Sequence, residues 1–479
     1  MNEQTLEQKL HALRRYPRFE ADTVQRFGDI LRRLDDWSLL RMNPLRFAHD
    51  HDFDPLTSTD LFIHGARVGL FDFSYELLCP GCGGMEYSHL ALDEIPDENF
   101  HCTNCNEDVP VTLDDQVQVS FTINPAVRVL NLNIYEGPQP YLRYYFSDNY
   151  EHGPEMTRYF ESNYRGFASV GPDEHGQLAF QAEPGARYRA MNLATHAEIY
   201  IQAGAEVSAV PQIVEVDMLA QGFAPERVDL AAGSVTLSIH NLTKATAGVI
   251  LYRADVEMPT EMACATLGRW HPFLTGKMLL NNQSFRDLFR IQQLAPSLKL
   301  NVRSLTILFT DLKNSTEIYG RAGDAFAYNL VQEHFTLLID TVRRRSGSIV
   351  KTMGDAIMAT FSTPEDGVGA ALEMVDSIER LNERLQREGY ETGIKIGLNE
   401  GPVLAVNADD RLDYFGQNVN VAARVQGLAQ AGEIWLTEQV FDNPQVAELL
   451  ETSGYRTRKQ SAMLRGVTQP TMVYQCVRR

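Results

Sequence analysis

Two aspartates in the last third of the chain lie where apolar, strand-like runs end. Asp311 closes the run that starts at Leu305, and Asp355 follows Met353 and Gly354 between two short runs. Glycine permits the tight turn of a hairpin, which would place Asp355 at its exposed tip. Mg²⁺ takes one or two carboxylates and fills its other positions with water and substrate phosphates. The two aspartates together therefore suit a nucleotide–magnesium complex, although either one alone would usually be a turn or capping residue.

Polar residues at two further places could reach an anionic ligand. Asp311 is followed by Lys313–Thr316, whose small polar side chains can cap a helix and turn backbone N–H groups toward an anion. Asn420 and Arg424 are four residues apart in a helical stretch, so they project from one face and can contact one ligand. Three arginines at 343–345 also suggest phosphate binding, but cations at a helix C-terminus are usually only solvated.

Four of the six cysteines form two C-x-x-C pairs separated by 19 residues. The pairs are Cys79 with Cys82 and Cys102 with Cys105. Two such turns can offer four thiolates to one tetrahedral ion, which predicts one structural zinc because four protein ligands leave no open position for substrate. A redox dithiol is the alternative, and the presence of two pairs together argues against it. His89 and His101 are near enough to replace a cysteine, but a surface histidine is the simpler explanation of each.

The composition excludes several classes of protein. The chain has 479 residues, of which 44% are hydrophobic and 22% charged, as is ordinary for a globular protein of about two to four domains. With 43 basic and 63 acidic side chains the formal charge is −20, which argues against charge-driven binding to nucleic acid or anionic membranes. The sequence has no apolar run of about 18–20 residues and no secretory signal at its start, so we expect a cytoplasmic protein without a membrane span.

The coarse secondary-structure pattern predicts a multidomain α+β protein. The predicted units are a helical unit that could be winged-helix-like (1–78), a zinc-ribbon-like four-cysteine module (79–110), an all-β, sandwich-like sensor domain (111–255), a connector (256–303) and a βαββαβ domain (304–479). The first unit has helical periodicity through Phe27–Leu40 and a strand at Phe71–Leu78. The connector has a short helix at Phe285–Phe289, which is ended by Leu294–Pro296. Aromatic residues at Tyr141–Tyr150 could line a ligand cavity, but such clusters are more often core.

Three segments of the last domain resemble the catalytic domain of the class III nucleotidyl cyclases, the adenylate and guanylate cyclases. The segments are FTDLKNST, VKTMGDAIMATF and DYFGQNVNVAAR, which occur in the family's order and spacing between Leu305 and Val477. The resemblance implies a ferredoxin-like fold that works as a head-to-tail homodimer. The first 300 residues are similar in general layout to the regulatory regions of a group of bacterial cyclases. That similarity concerns architecture more than function, and we expect a regulatory ligand or protein of unknown identity to act on this region.

The resemblance also implies roles for individual residues. Asp311 and Asp355 would bind two Mg²⁺ or Mn²⁺ ions, which activate the ribose 3′-hydroxyl and hold the triphosphate. Asn420 would orient the ribose, and Arg424 would stabilise negative charge on the α-phosphoryl group. Arg465 stands where the family often has a lysine for the terminal phosphates. One protomer would supply the aspartates and its partner the other residues, so a homodimer would carry two complete sites.

The positions that match Lys351 and Asp413 contact the purine in this family. They supply one obligate donor and one obligate acceptor of hydrogen bonds. Adenine presents an acceptor at N1 and a donor at its 6-amino group, which this pair complements, whereas guanine reverses both. The sequence therefore predicts an adenylyl cyclase that converts ATP to cyclic AMP and pyrophosphate. The alternatives are a guanylyl or other nucleotidyl cyclase, or a non-catalytic cyclase-fold protein used for signalling or binding.

Overall fold

The computed structural model describes residues 1–89, 94–96, 99–105, 107–255, 268–289, 299–313, 324–387, 390–408 and 411–479. The helices in these ranges are α1 (Glu3–Leu13), α2 (Ala21–Arg33), α3 (Pro44–His51), α4 (Pro55–Arg67), α5 (Pro138–Tyr145), α6 (Pro154–Asn163), α7 (Gly276–Leu280), α8 (Gln283–Leu288), α9 (Asp324–Arg344), α10 (Pro364–Arg387), α11 (Gln417–Gln426), α12 (Glu438–Phe441) and α13 (Pro444–Thr452). Two predicted features, the helix end at Leu294–Pro296 and the cap at Asn314–Thr316, lie outside the described residues.

The strands before the last domain are β1 (Phe71–Leu78), β2 (Met85–His89), β3 (Asn99–Cys102), β4 (Glu107–Pro110), β5 (Val117–Ile123), β6 (Tyr150–His152), β7 (Tyr164–Val170), β8 (His175–Ala182), β9 (Arg187–Asn192), β10 (Ala197–Val207), β11 (Gln212–Leu219), β12 (Gly222–Ala224), β13 (Arg227–Asn241), β14 (Ala247–Arg253) and β15 (Gly268–Trp270). The strands of the last domain are β16 (Lys299–Lys313), β17 (Ser348–Met353), β18 (Ala356–Phe361), β19 (Gly393–Ala408), β20 (Arg411–Phe415), β21 (Ile434–Thr437), β22 (Tyr455–Ala462) and β23 (Thr471–Arg478).

Four helices, α1 to α4, begin the chain, and each buries an apolar face. The asparagine or aspartate that precedes α1, α3 and α4 accepts a hydrogen bond from a backbone N–H group of the first turn. The helix predicted through Phe27–Leu40 ends earlier, at Arg33, because Leu34 takes an extended backbone conformation. The strand predicted at Phe71–Leu78 is confirmed as β1.

The first sheet joins parts of the chain that the sequence assigns to different domains. β1 pairs with both β2 and β5, in the order β2-β1-β5. Phe73 of β1 lies opposite Phe121 of β5, and both side chains pack into the core of the helical unit. The structure therefore differs from the predicted boundary at residue 111, since β5 completes the sheet of the preceding unit. The pairing connects strands that are distant along the chain, and the hydrophobic pattern of each strand does not specify its partner.

Most buried apolar residues of the β-rich region from β7 to β14 form one core, and Met191 and Ile250 pack in a second cluster with Tyr141. β13 runs through two groups of strands: its first half pairs with β10, and its second half pairs with β8 and β11. Gly233 has a φ of +124° at the place where the partner changes, a backbone conformation that favours glycine. Alternate residues of β13, such as Leu237 and Ile239, are buried in the core. This part of β13 thus has one buried face.

The last domain follows the predicted βαββαβ order, formed by β16, α9, β17, β18, α10 and β19. Its central strands lie in the order β17-β18-β16-β19, which is the ferredoxin-like arrangement, and β21, β23 and β22 extend the sheet. β16 begins at Lys299, earlier than the predicted Leu305. Leu308 packs with α9 and α10, whereas Ile307 and Phe309 face the other side of the sheet. Among the described residues, no helix is both long and apolar enough to cross a membrane.

The other side of this sheet packs against the N-terminal region. Ile307, Phe309 and Met358 belong to a buried cluster that also contains Phe71 and Phe285. Burial of apolar surface is the dominant favourable term in folding, so this contact stabilises the two regions together. The last domain and the region before it therefore share a hydrophobic core.

Helix α11 packs closely on β19 at Gly397. A Cβ atom added there would lie 2.1 Å from the backbone nitrogen of Gln426 and 2.3 Å from its Cα, and backbone atoms cannot move aside as a side chain can. We expect Gly397→Ala to lower the free energy of unfolding by about 1–3 kcal/mol, because α11 must move away from the strand. Chemical denaturation measures the change. The control is Gly137→Ala, whose added Cβ meets nothing within 4 Å; equal transitions for the two variants would contradict this close packing.

Candidate functional site

Asp311 and Asp355 lie at the same end of two neighbouring strands. Phe309 of β16 pairs with Met358 of β18, and the Ile357 N–H group donates a hydrogen bond to Thr310 Oγ1 at 3.1 Å. This antiparallel register brings Asp311, near the end of β16, toward Asp355, in the turn before β18. The turn is formed as expected, since Gly354 has a φ of +64°.

The surroundings of the two carboxylates differ. The Oδ2 atom of Asp355 is buried and has no hydrogen-bond partner in the described part of the chain. A buried, unpaired carboxylate oxygen costs free energy unless a cation or donor compensates it, so this atom fits a cation-binding role. Asp311 Oδ2 instead accepts a hydrogen bond from Lys395 Nζ at 2.7 Å, across the pairing of β16 with β19. The chemistry and placement of the two residues suit a divalent metal.

Sequence reasoning missed Lys395 and His334. Lys395 is the one charged residue in the apolar run Gly393–Leu398, which is a detectable signal, but its partner is visible only once β19 is paired with β16. His334 is fully buried in α9, and burial lowers its pKa to about 4 although the nearby Asp355 carboxylate opposes this shift. The imidazole is therefore neutral at pH 7 and leaves the negative charge of Asp355 uncompensated.

The structure brings Lys351 and Asp413 together. Lys351 Nζ donates a hydrogen bond to Asp413 Oδ2 at 2.6 Å, and the Tyr414 N–H group donates to Asp413 Oδ1 at 2.8 Å. The two side chains are 41% and 21% exposed, so a ligand can reach both. A donor and an acceptor are thus held side by side at the surface of the domain.

Asn420 and Arg424 lie one turn apart on α11, and both are exposed. Their neighbours Val421 and Val425 are buried, so α11 turns its apolar side to the protein and its polar side to solvent. Arg465 is exposed in the turn between β22 and β23. Within the ranges that the structure describes, no hydrogen bond or ion pair connects these three residues with the two aspartates or with the Lys351–Asp413 pair.

The four cysteines of the two C-x-x-C pairs form one cluster, with all Sγ atoms within 4.8 Å of one another. The Sγ atoms of Cys79 and Cys105 are 3.7 Å apart, and those of Cys82 and Cys102 are 3.8 Å apart. Zinc–sulfur bonds of about 2.3 Å in a tetrahedron place the sulfurs about 3.8 Å apart, so the cluster has the dimensions of a metal site. The described groups of potential metal ligands place neither His89 nor His101 in this cluster, and His101 Nδ1 instead lies 2.9 Å from Asp108 Oδ1.

The first cysteine turn is in contact with the segments that follow it. Tyr150 donates a hydrogen bond from its hydroxyl to the Gly81 carbonyl at 2.8 Å, and Trp270 Nε1 donates to the Pro80 carbonyl at 3.2 Å. On the second turn, Thr103 Oγ1 lies 2.9 Å from His196 Nδ1 of the β-rich region. An ion bound by the cysteines would therefore hold together the two cysteine turns, the segments that carry Tyr150 and Trp270, and the β-rich region that carries His196.

Loss of one cysteine ligand tests the metal site. We expect Cys82→Ser to reduce bound metal from about one equivalent per chain to a small fraction and to lower the thermal unfolding temperature, because the ion contributes to folding free energy. Elemental analysis of the purified protein and a thermal unfolding curve provide the two measurements. Cys476→Ala, which removes a buried thiol in β23, is the control and should retain the metal. Equal metal content in both variants would contradict the assignment.

Two family matches cover most of the chain. Residues 3–287 match a family of unknown function, DUF5939. Residues 299–476 match the adenylate and guanylate cyclase catalytic domain, which agrees with the fold predicted for this region.

Individual relatives match parts of the chain. An uncharacterized protein of Mycobacterium tuberculosis is 35% identical over 134 residues, which are 28% of this chain and 32% of that protein. An adenylate cyclase of Anabaena cylindrica is 27% identical over 188 residues, which cover 36% of this chain and 37% of that enzyme. This chain therefore spans about a third of the length of these curated relatives. The crystal structure of the adenylyl cyclase CyaB from P. aeruginosa aligns with 38% of this chain and 96% of its own, at 22% identity and a TM-score of 0.34.

Proposed function

Since the chain belongs to the DUF5939 family and its residues 299–476 form an adenylate and guanylate cyclase catalytic domain, we propose that the protein converts ATP to 3′,5′-cyclic AMP and pyrophosphate. The observation that carries the choice of ATP is the contact between Lys351 Nζ and Asp413 Oδ2 at 2.6 Å. The lysine can donate to adenine N1 and the aspartate can accept from the 6-amino group. Guanine would place a donor opposite Lys351 and an acceptor opposite Asp413, so it is disfavoured.

Asp311 and Asp355 are the proposed metal ligands. Two Mg²⁺ or Mn²⁺ ions bound there would lower the pKa of the ribose 3′-hydroxyl and offset negative charge on the leaving pyrophosphate. The unpaired Oδ2 atom of Asp355 supports this assignment, and the neutral state of His334 leaves the carboxylate charge available. Lys395 holds Asp311 Oδ2 and thereby fixes the orientation of that carboxylate.

Three exposed residues are assigned to the sugar and the phosphates. Asn420 orients the ribose, and Arg424, on the same face of α11, stabilises negative charge on the α-phosphoryl group in the transition state. Arg465 is assigned to the terminal phosphates, since its guanidinium offers several donors to phosphate oxygens. Lys351, Arg424 and Arg465 supply the cations that a protein of net charge −20 needs in order to bind a polyanionic nucleotide.

We assign the two groups of residues to different protomers of a head-to-tail homodimer. The aspartates lie at the same end of two neighbouring strands, whereas the other four residues come from β17 (Lys351), β20 (Asp413) and α11 (Asn420 and Arg424), and we infer that a partner subunit completes each site. Exposed aromatic side chains in the same domain fit such an interface, since Phe415 is 70% exposed beside the Lys351–Asp413 pair and Tyr328 is 60% exposed on α9. All six residues are present in one chain, which favours a homodimer with two sites.

We assign zinc to the four-cysteine cluster and a regulatory role to residues 3–287. The Sγ–Sγ separations of 3.7 and 3.8 Å support zinc, and four thiolates favour a structural role for it. The core that this region shares with the catalytic sheet supports regulation, because a change in one region must be accommodated in the other.

The Asp355 carboxylate provides the first test of the activity. We expect Asp355→Asn to reduce cyclic nucleotide formation from ATP by at least about 100-fold, because a neutral amide is a poor ligand for a hard divalent cation. The assay supplies purified protein with ATP or GTP and either Mg²⁺ or Mn²⁺. Glu448→Gln on the exposed side of α13 is the control and should keep full activity. Preference of the unmodified protein for GTP would contradict the proposed substrate.

A mixture of two inactive variants tests the shared site. Asp311→Ala and Arg424→Ala should each be inactive as homodimers. In a head-to-tail heterodimer one of the two sites receives both altered residues and the other receives neither. We therefore expect the mixture to regain a measurable fraction of activity that depends on subunit exchange. Absence of recovery, with dimers demonstrated by light scattering, would contradict the division of the site between protomers.

A further inference from the structure

Helix α8 lies between the N-terminal helical unit and the catalytic domain. Its sequence, Gln283–Leu288, falls in the connector, and it contacts both α4 and β17. Phe285 is buried in the core shared by the two regions, which fixes the orientation of the short helix. The polar side chains of Gln283 and Arg286 therefore reach the catalytic domain from a fixed position.

Gln283 binds the strand that carries Lys351. The Gln283 Oε1 atom accepts a hydrogen bond from the Ile349 N–H group of β17 at 2.7 Å. Its Nε2 atom donates to Asp287 Oδ1 at 2.9 Å, and Asp287 Oδ2 pairs with Arg343 at 2.6 Å. The side chain is thus held at both ends, and it fixes β17 two residues before Lys351.

Arg286 binds the strand that carries Asp413. Its Nη1 atom donates a hydrogen bond to the Leu412 carbonyl at 3.0 Å, and its Nε atom donates to the Leu280 carbonyl at 2.8 Å. The guanidinium carbon also lies 5.4 Å from the ring centroid of the buried Tyr414. Arg286 therefore contacts the residues on both sides of Asp413.

These contacts matter because β17 and β20 are not paired with each other in the described structure. β17 pairs with β18, and β20 pairs with β19. The two strands are linked directly by the Lys351–Asp413 ion pair, which is partly exposed and by itself contributes little to holding them in place. Helix α8 supplies a second link, one hydrogen bond to each strand.

We propose that Gln283 and Arg286 are positioning residues that set the separation of Lys351 and Asp413 and so determine purine selectivity. The proposal rests on the proposed function of that pair as the reader of the base. Selectivity between adenine and guanine requires donor and acceptor to meet two atoms of one ring edge, and a small displacement of either strand weakens both hydrogen bonds.

The other side of α8 is bound to the helical unit, and these contacts restrict the movement of the helix. Asn282, which precedes the helix, donates a hydrogen bond from Nδ2 to Asp60 Oδ1 at 3.2 Å. Asp60 lies on α4, is 2% exposed and also pairs with Arg18, whose guanidinium donates to Ser284. The strands of the base-reading pair are thus held by side chains that are themselves fixed to the N-terminal region.

The test compares nucleotide binding and turnover in Arg286→Met and Gln283→Met. Met keeps the approximate length of each side chain but removes its hydrogen bonds to β20 or β17. Binding is measured by calorimetry with 3′-deoxyadenosine and 3′-deoxyguanosine triphosphates, which lack the hydroxyl that attacks in cyclisation. The ratio of kcat/KM for ATP and GTP is measured in parallel. We expect each variant to reduce the preference for adenine by about tenfold or more, and Arg286→Lys, which keeps the charge and can still donate to Leu412, to restore part of it.

Lys277→Met is the matched control. Lys277 is another cation of the connector, with Nζ 3.0 Å from Asp114 and 3.3 Å from the Ser304 carbonyl, and it contacts neither β17 nor β20. Its replacement should leave the adenine preference within about twofold of the original, since the two contacts that it removes do not involve the base-reading strands.

The possible results distinguish the positioning role of Gln283 and Arg286 from the proposed cyclase activity. If Arg286→Met and Gln283→Met weaken binding of both nucleotides by the same factor, the residues have only a structural role and the inference is wrong. The same conclusion follows if Lys277→Met lowers the preference as much as they do. Should Arg286→Met fail to fold, Arg286→Lys and Gln283→Met decide the matter. Absence of cyclic product from the unmodified protein, with adenine-selective binding retained, would refute the proposed cyclase activity and leave the positioning role standing.

Discussion

Strand β16 buries apolar side chains on both of its faces, and most of the protein is arranged around this constraint. Leu308 requires the cover that α9 and α10 provide, and Ile307 and Phe309 require a cover on the opposite side. That second cover comes from the N-terminal region, so the catalytic sheet is not an independent body joined by a linker. The polar Asp311 follows directly in the same strand, and its position is fixed by the packing of the residues before it.

The carboxylates of the candidate site differ in their charged neighbours. The protein is acidic overall, yet each candidate carboxylate of the site has a specific electrostatic environment. Asp311 and Asp413 each contact one lysine, whereas Asp355 has a buried oxygen without a partner and a neutral histidine nearby. In a partly buried site such differences are larger than in water, because screening by solvent is weaker. Burial of the unpaired Oδ2 atom of Asp355 costs free energy on folding. The same unpaired oxygen is suited to bind a cation.

Much of the catalytic fold could be predicted because its signals are local. The apolar run that ends at Asp311, the four-residue spacing of Asn420 and Arg424, and Gly354 in a tight turn each depend on neighbours a few residues away. The early end of α2 at Arg33 could not be predicted in this way, since apolar residues continue beyond it. Nor could the pairing of β1 with β5, which requires two distant strands to meet.

The sequence by itself determined which chemical groups the protein has and at which local positions: two aspartates at strand ends, a lysine and an aspartate of complementary hydrogen bonding, and four cysteines in two turns. Only the tertiary structure decided what those groups contact. Lys395 meets Asp311 across a strand pair, and Gln283 and Arg286 reach the strands of the base-reading pair from a helix outside the catalytic domain. The physical reason is that periodicity and turn chemistry act over a few residues, whereas these contacts arise from the packing of elements far apart in the chain.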